Sequence, residues 1–157
     1  MTLFLLNVLL AVAWGALSGD FAPVNLFFGF ALGYVILWIS YRKMTQVTYF
    51  RRVFVVLEFL SFFLWELLIA NIRVVIIVLS PRPKLRPAVI GIPLDIQEDA
   101  AITLLVNLIT LTPGTLSLDV STDRRMLYIH SIWVQDAETF RAHIKTGYER
   151  RVKELFQ

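Results

Sequence analysis

Three ionisable side chains, Glu58, Glu66 and Arg73, interrupt an apolar run that extends from Val53 to Leu79. A charge at the centre of a bilayer costs about 2.5–3.5 kcal/mol on insertion scales, so each of the three requires a partner, water or a task. At about 100° per residue, Arg51, Glu58, Glu66 and Arg73 share one helical sector narrower than roughly 90°. Arg52 lies beside that sector and Trp65 near its edge. Two chemistries suit such a stripe. Glu58 or Glu66 could relay protons, or the charges could pair with a neighbouring subunit or wet one face of a surface helix. A relay needs a continuous line of titratable groups, and this chain supplies few. The second reading is the plainer one.

The remaining inventory is sparse. His130 and His143 are the only histidines, and neither has carboxylates at ligand spacing, so no metal site is expected. There is no cysteine, which excludes disulfides, thiolate zinc sites and thiol nucleophiles. No phosphate-binding glycine loop, dinucleotide fingerprint or nucleophile elbow occurs, so no cofactor and no enzymatic activity are expected. Asp119, Asp123, Arg124 and Arg125 cluster around a turn and read as solvated charges.

These residues are carried by a chain of two contrasting halves. Hydrophobic residues make up 57% of it and the mean hydropathy is +0.69, too apolar for a soluble globule of this size. Residues 1–80 hold five Lys/Arg and three Asp/Glu, whereas residues 81–157 hold ten and nine. The second half therefore lacks the dense basic face that nucleic acid requires. Thr2 to Ser18 and Phe21 to Tyr41 are apolar runs near the ~20-residue spanning length, joined by Ser18-Gly19-Asp20 as a tight hairpin turn. A cleaved signal peptide is disfavoured because no basic residue precedes the first run and Trp14 crowds the site. Gly29 and Gly33 form a Gly-x-x-x-Gly pair that permits close helix contact. Arg42-Lys43 and Arg51-Arg52 place the following loop on the cytoplasmic side.

The third run, 53–79, is long enough to cross the bilayer, yet Arg82, Lys84 and Arg86 make its far flank basic too. A helix lying along the cytoplasmic surface satisfies both flanks, and a third crossing with its stripe against partner helices is the alternative. Three prolines in 81–87 then mark a stiff linker. Beyond it, Ala88–Ile92 is β-prone, and Asp95 with Glu98 resembles a capping box for a helix to about Ile109. Thr112-Pro113-Gly114-Thr115 has the composition of a type II turn. Leu116, Leu118 and Val120 alternate with polar residues as a half-buried strand, paired through a turn at 121–124 with Met126 to Val134. Asp136 caps a last helix on which Phe140, Ile144, Tyr148, Val152 and Leu155 recur. The expected architecture is a membrane hairpin, a long amphipathic or third membrane helix over 53–79, and a small cytoplasmic α+β domain (β-α-β-β-α) over 88–157.

The stretch Asn107-Leu108-Ile109-Thr110-Leu111-Thr112-Pro113-Gly114-Thr115-Leu116-Ser117-Leu118-Asp119-Val120 carries a resemblance, together with Leu127-Tyr128-Ile129-His130, Trp65-Glu66-Leu67 and Ala70-Asn71. Over essentially its whole length the chain resembles the E-type component of Mrp-type (Mnh/Pha) multisubunit cation:proton antiporters. The resemblance implies a multi-pass protein in the plasma membrane of a prokaryote, within a complex exchanging sodium or another monovalent cation for protons. It implies the A, B, C, D, F and G type subunits as partners, beside the lipid bilayer, with the ion-conducting machinery in the large A-type and D-type subunits. The E-type component would then be an accessory, non-catalytic part of the complex needed for assembly or full activity. The Thr112–Thr115 segment reads as a structural turn, with hydroxyls of Thr110 and Thr112 serving carbonyls freed at the helix end. The alternatives are a subunit contributing Glu66 to a proton pathway and a free-standing membrane-anchored binding domain.

Overall fold

The computed structural model describes residues 2–41, 48–83 and 85–156. Arg42, Lys43 and Lys84, three of the basic residues that bear on topology, lie outside the described residues. The chain divides into two compact units, Met1–Phe54 and Val55–Gln157.

The first unit holds α1 (Thr2–Ser18), α2 (Pro23–Tyr41) and the opening turns of α3, a helix that runs Thr48–Leu79. At 17 residues α1 covers about 25 Å, short of a ~30 Å hydrocarbon layer, whereas α2 and α3 are long and apolar enough to cross one. Gly19 ends α1 with φ +69°, and the Asp20 N–H returns to the Gly15 carbonyl at 3.1 Å, a Schellman closure. Asp20 then accepts the Ala22 N–H, and Asn25 reaches back to Ser18, to the Asp20 carbonyl and to Trp14, so polar bonds hold the four-residue connection between the two helices. Gly29 and Gly33 both face α1. A Cβ at Gly29 would meet the Trp14 ring at 2.9 Å, and one at Gly33 would collide with Asn7 Oδ1. Asn7 is fully buried, and its Nδ2 donates to the Tyr49 hydroxyl at 3.1 Å.

In the second unit, the remainder of α3 is followed by β1 (Ala88–Pro93), α4 (Asp99–Leu111), β2 (Thr115–Val120), β3 (Met126–Ser131), α5 (Ala137–His143) and α6 (Arg150–Phe156). A π-helical turn, Ile144–Glu149, joins α5 to α6 in one continuous helical run. The sheet order is β1-β3-β2, antiparallel throughout, with Ile129 of β3 opposite Ile90 and Ser117. Buried residues from β1 and β3 (Ile90, Ile92, Leu127, Ile129), α4 (Leu105, Leu108, Ile109) and the last helical run (Ile144, Tyr148, Val152) form the core. Phe59 of α3 belongs to it, and Phe62 and Phe63 pack against it.

Four local readings are corrected. Asp95 does not cap α4. The helix begins at Asp99, and Glu98 at its N-cap position makes no side-chain cap bond. The 2.5 Å and 3.2 Å bonds from the Asp95 and Ile96 N–H groups go instead to Glu149 Oε1. Second, β3 stops at Ser131, because Arg86 forms a parallel bridge with Trp133 there and carries the chain off the ladder. Third, Leu116 and Leu118 point away from the core. A bulge at Leu118 shifts the register, and Ser117 faces α4, donating to the Val106 carbonyl at 3.2 Å. With Val89 and Tyr128 they leave an apolar outer sheet face exposed. Fourth, Thr110 serves no carbonyl: its hydroxyl accepts the Ser117 N–H at 3.3 Å.

Thr112-Pro113-Gly114-Thr115 closes as a β-turn, the Thr115 N–H bonding the Thr112 carbonyl at 3.2 Å with Gly114 at φ +91°. The Thr112 hydroxyl donates to Leu108 O at 2.9 Å and the Thr115 hydroxyl to Ile109 O at 2.6 Å, so two of the last four carbonyls of α4 are satisfied without water.

Candidate functional site

Helix α3 brings its charged stripe onto the last helical run of the same unit. Glu58 Oε1 accepts from Arg151 Nε at 2.9 Å, and the Arg151 guanidinium lies 3.9 Å from the Phe62 ring centre while donating to the Gly147 carbonyl at 3.0 Å. Eight residues further along α3, Glu66 Oε2 stands 3.3 Å from His143 Nε2. Arg73 places its guanidinium 5.4 Å from the Trp133 ring centre. Glu58, Glu66 and Arg73 are thus three successive anchors of one helix–domain seam. His143 is half exposed and joined to α3. Sequence reasoning missed Arg151, Trp133 and His143 as partners, because their separation from α3 exceeds 50 residues and carries no periodic signal.

Between these anchors lies a cleft of about 280 Å³, lined among others by Glu66, Arg73, Thr112, Trp133, His143 and Tyr148. Tyr148 is buried there, edge-on to Phe62 and His143 and 3.3 Å from the Thr112 hydroxyl. Burial pushes its phenol above the usual value, the Thr112 bond opposing this, so it stays protonated at neutral pH. Glu66 and His143 form the one charged pair at the cleft among the described residues. Among the described residues no hydrogen bond joins that pair to the Tyr148 hydroxyl, which meets the Thr112 hydroxyl instead, and Thr112 donates to the Leu108 carbonyl. Among the described residues no group of three or more His, Asp or Glu side chains converges as a metal site.

A second cluster lies at the other end of the domain. Glu149 is 2% exposed, accepts the two N–H groups of Asp95 and Ile96, and faces the Lys145 ammonium at 2.8 Å. Lys145 also pairs with Asp95 at 2.6 Å and donates to the Pro93 carbonyl at 2.8 Å. Desolvation alone would lower the Lys145 pKa, but its bonds to Asp95 and Glu149 prevail and raise it. The hydrogen bond from Lys145 holds Asp95 below the usual carboxylate range. The cluster clamps the β1–α4 connection to the π turn.

A family model described as a Na+/H+ ion antiporter subunit matches residues 7–155. The E-type subunit of the Na(+)/H(+) antiporter of Alkalihalophilus pseudofirmus is 36% identical over 151 residues, covering 96% of both chains. The chain belongs to the E-type family of Na+/H+ antiporter subunits. An E1-type antiporter subunit from Staphylococcus haemolyticus is 40% identical over 151 residues, covering 96% of this chain and 95% of that one. Among solved structures, a chain of the membrane-bound sulfane sulfur reductase, an archaeal respiratory membrane complex, is similar with a TM-score of 0.60 and 26% identity. That match covers 99% of this antiporter subunit and all of the other chain.

Proposed function

We propose that this chain is a non-catalytic accessory subunit of a multisubunit monovalent cation/proton antiporter, contributing to assembly and stability of the complex. The observation that carries the accessory role is that Glu58, Glu66 and Arg73 are all engaged with Arg151, His143 and Trp133 of the same chain. Charges spent on an internal seam do not form a transport path, and two or three helices are too few to enclose one. The partners are the A, B, C, D, F and G type subunits, and the exposed sheet face of Val89, Leu116, Leu118 and Tyr128 suits such contacts. The chain is multi-pass in a prokaryotic plasma membrane, with the 88–157 domain on the cytoplasmic side.

Deleting the chain is expected to abolish cation-dependent proton exchange in vesicles together with co-purification of the other subunits. Intact exchange in its absence would refute the proposal. Cysteines introduced at Gln46, outside the described residues, and Thr122 should both be labelled from the cytoplasmic side.

The Glu66–His143 contact at 3.3 Å gives a second reading its one specific support: a subunit that lends Glu66 to a proton route. Glu66→Gln distinguishes the two. The accessory role predicts exchange within about twofold of wild type once the complex assembles. A relay predicts a loss of 10²-fold or more with assembly intact, the order of a removed proton-transfer group.

A further inference from the structure

We infer that the outer face of α3 is seated on anionic lipid at the headgroup–acyl boundary, so that this helix lies on the bilayer instead of crossing it. The inference rests on the membrane location of the chain and not on the transported ion. Contacts with the α+β domain extend from Glu58 to Ile77, about 30 Å of helix, which equals a full hydrocarbon thickness. If that stretch crossed the bilayer, Arg151, His143 and the polar groups around them would be carried into hydrocarbon. The seam therefore places this stretch of α3 outside the hydrocarbon core.

The opposite face is apolar and uncovered: Leu57, Leu64, Leu68 and Val75 are each more than half exposed, as are Trp65 and Ile72 on its flank. Its two polar residues turn inward on the helix itself. Ser61 Oγ donates to the Leu57 carbonyl and Asn71 Nδ2 to the Leu67 carbonyl, both at 2.7 Å, as polar side chains do where water is scarce. Basic residues stand at both ends, Arg51 and Arg52 in the opening turns and Arg82 and Arg86 beyond the last, all exposed. An apolar face bracketed by arginines is complementary to a bilayer surface rich in acidic headgroups.

The test uses the full chain, which has no cysteine of its own. Single nitroxides at Leu57, Leu64, Leu68 and Val75 are read for oxygen against nickel-chelate collisions in bilayers containing phosphatidylglycerol. All four should report one shallow depth, about 5–10 Å below the headgroups. In pure phosphatidylcholine the depth should decrease at every position. A profile that deepens toward the middle of the helix and shallows again, as for a crossing, overturns the inference. So does full nickel accessibility in lipid alone, which would reserve the face for a partner subunit. Equal depth in the two lipids overturns the anionic selectivity. None of these outcomes bears on whether the complex exchanges cations, so the antiporter reading is tested separately.

Discussion

Glu149→Ala is expected to destabilise the Val55–Gln157 unit by about 3–4 kcal/mol, the largest single-residue effect foreseen here. The substitution strands two N–H groups, those of Asp95 and of the buried Ile96, and removes one of the two carboxylates facing Lys145. Each buried donor left without a partner costs about 1–3 kcal/mol. For a domain of this size the loss corresponds to a fall in Tm of more than about 10 °C, read by near-ultraviolet circular dichroism of the purified full chain. Glu149→Gln retains an acceptor for both N–H groups and should lose less than half as much. Equal losses for the two variants would mean that the charge, and not the acceptor, holds the loop. Because the Asp95 pKa is lowered on folding, the ion pair with Lys145 contributes at neutral pH. That contribution disappears as pH falls through and below the carboxylate range. The gap between wild type and Asp95→Asn should close in acid accordingly.

Gly33→Leu should separate α1 from α2. A Cβ at this position collides with Asn7 Oδ1 and stands 3.2 Å from Leu10 Cβ, neither of which is the free end of a long side chain. Asn7 is itself fully buried and tied to Tyr49, so it has nowhere to retreat. An overpacked contact of this kind costs about 3 kcal/mol, comparable with everything a single helix pair gains by association. Electron–electron distance measurements between nitroxides at the exposed positions Leu9 and Val35 should give one narrow distribution in wild type and a broad, longer one in the variant. An unchanged distribution would show that the Gly-x-x-x-Gly face is not what joins the two helices.

The α+β order was legible because its signals are local. β-Prone composition marked β1, alternation marked β2 and the turn after it marked β3, Asp136 accepts the Thr139 N–H at 2.8 Å as an N-cap, and Pro113-Gly114 fixed a turn whose second central residue needs positive φ. The capping residue of α4 was misread because Asp95 has the right type and spacing. What decides its role is Glu149, 54 residues downstream, which no window sees. Leu116 and Leu118 illustrate the same limit. Alternation identifies a strand but not which face is inward, and a one-residue bulge reverses the answer. In the seam, the stripe on α3 was legible as a single helical sector. Its partners were not, since His143 and Arg151 become neighbours of α3 only through tertiary packing.

The π turn at Ile144–Glu149 makes the spacing between those two partners a matter of phase. In an unbroken α-helix, residues eight apart point about 80° away from each other, whereas one residue absorbed in a wider turn reduces the divergence to about 20°. His143 and Arg151 can therefore both address α3 only because the helix carries this extra residue. Straightening the segment to an unbroken α-helix of the same length would spare every side chain of the seam and still turn Arg151 about 100° around the axis, away from Glu58. For this stretch, the width of the turn is held as tightly as residue identity.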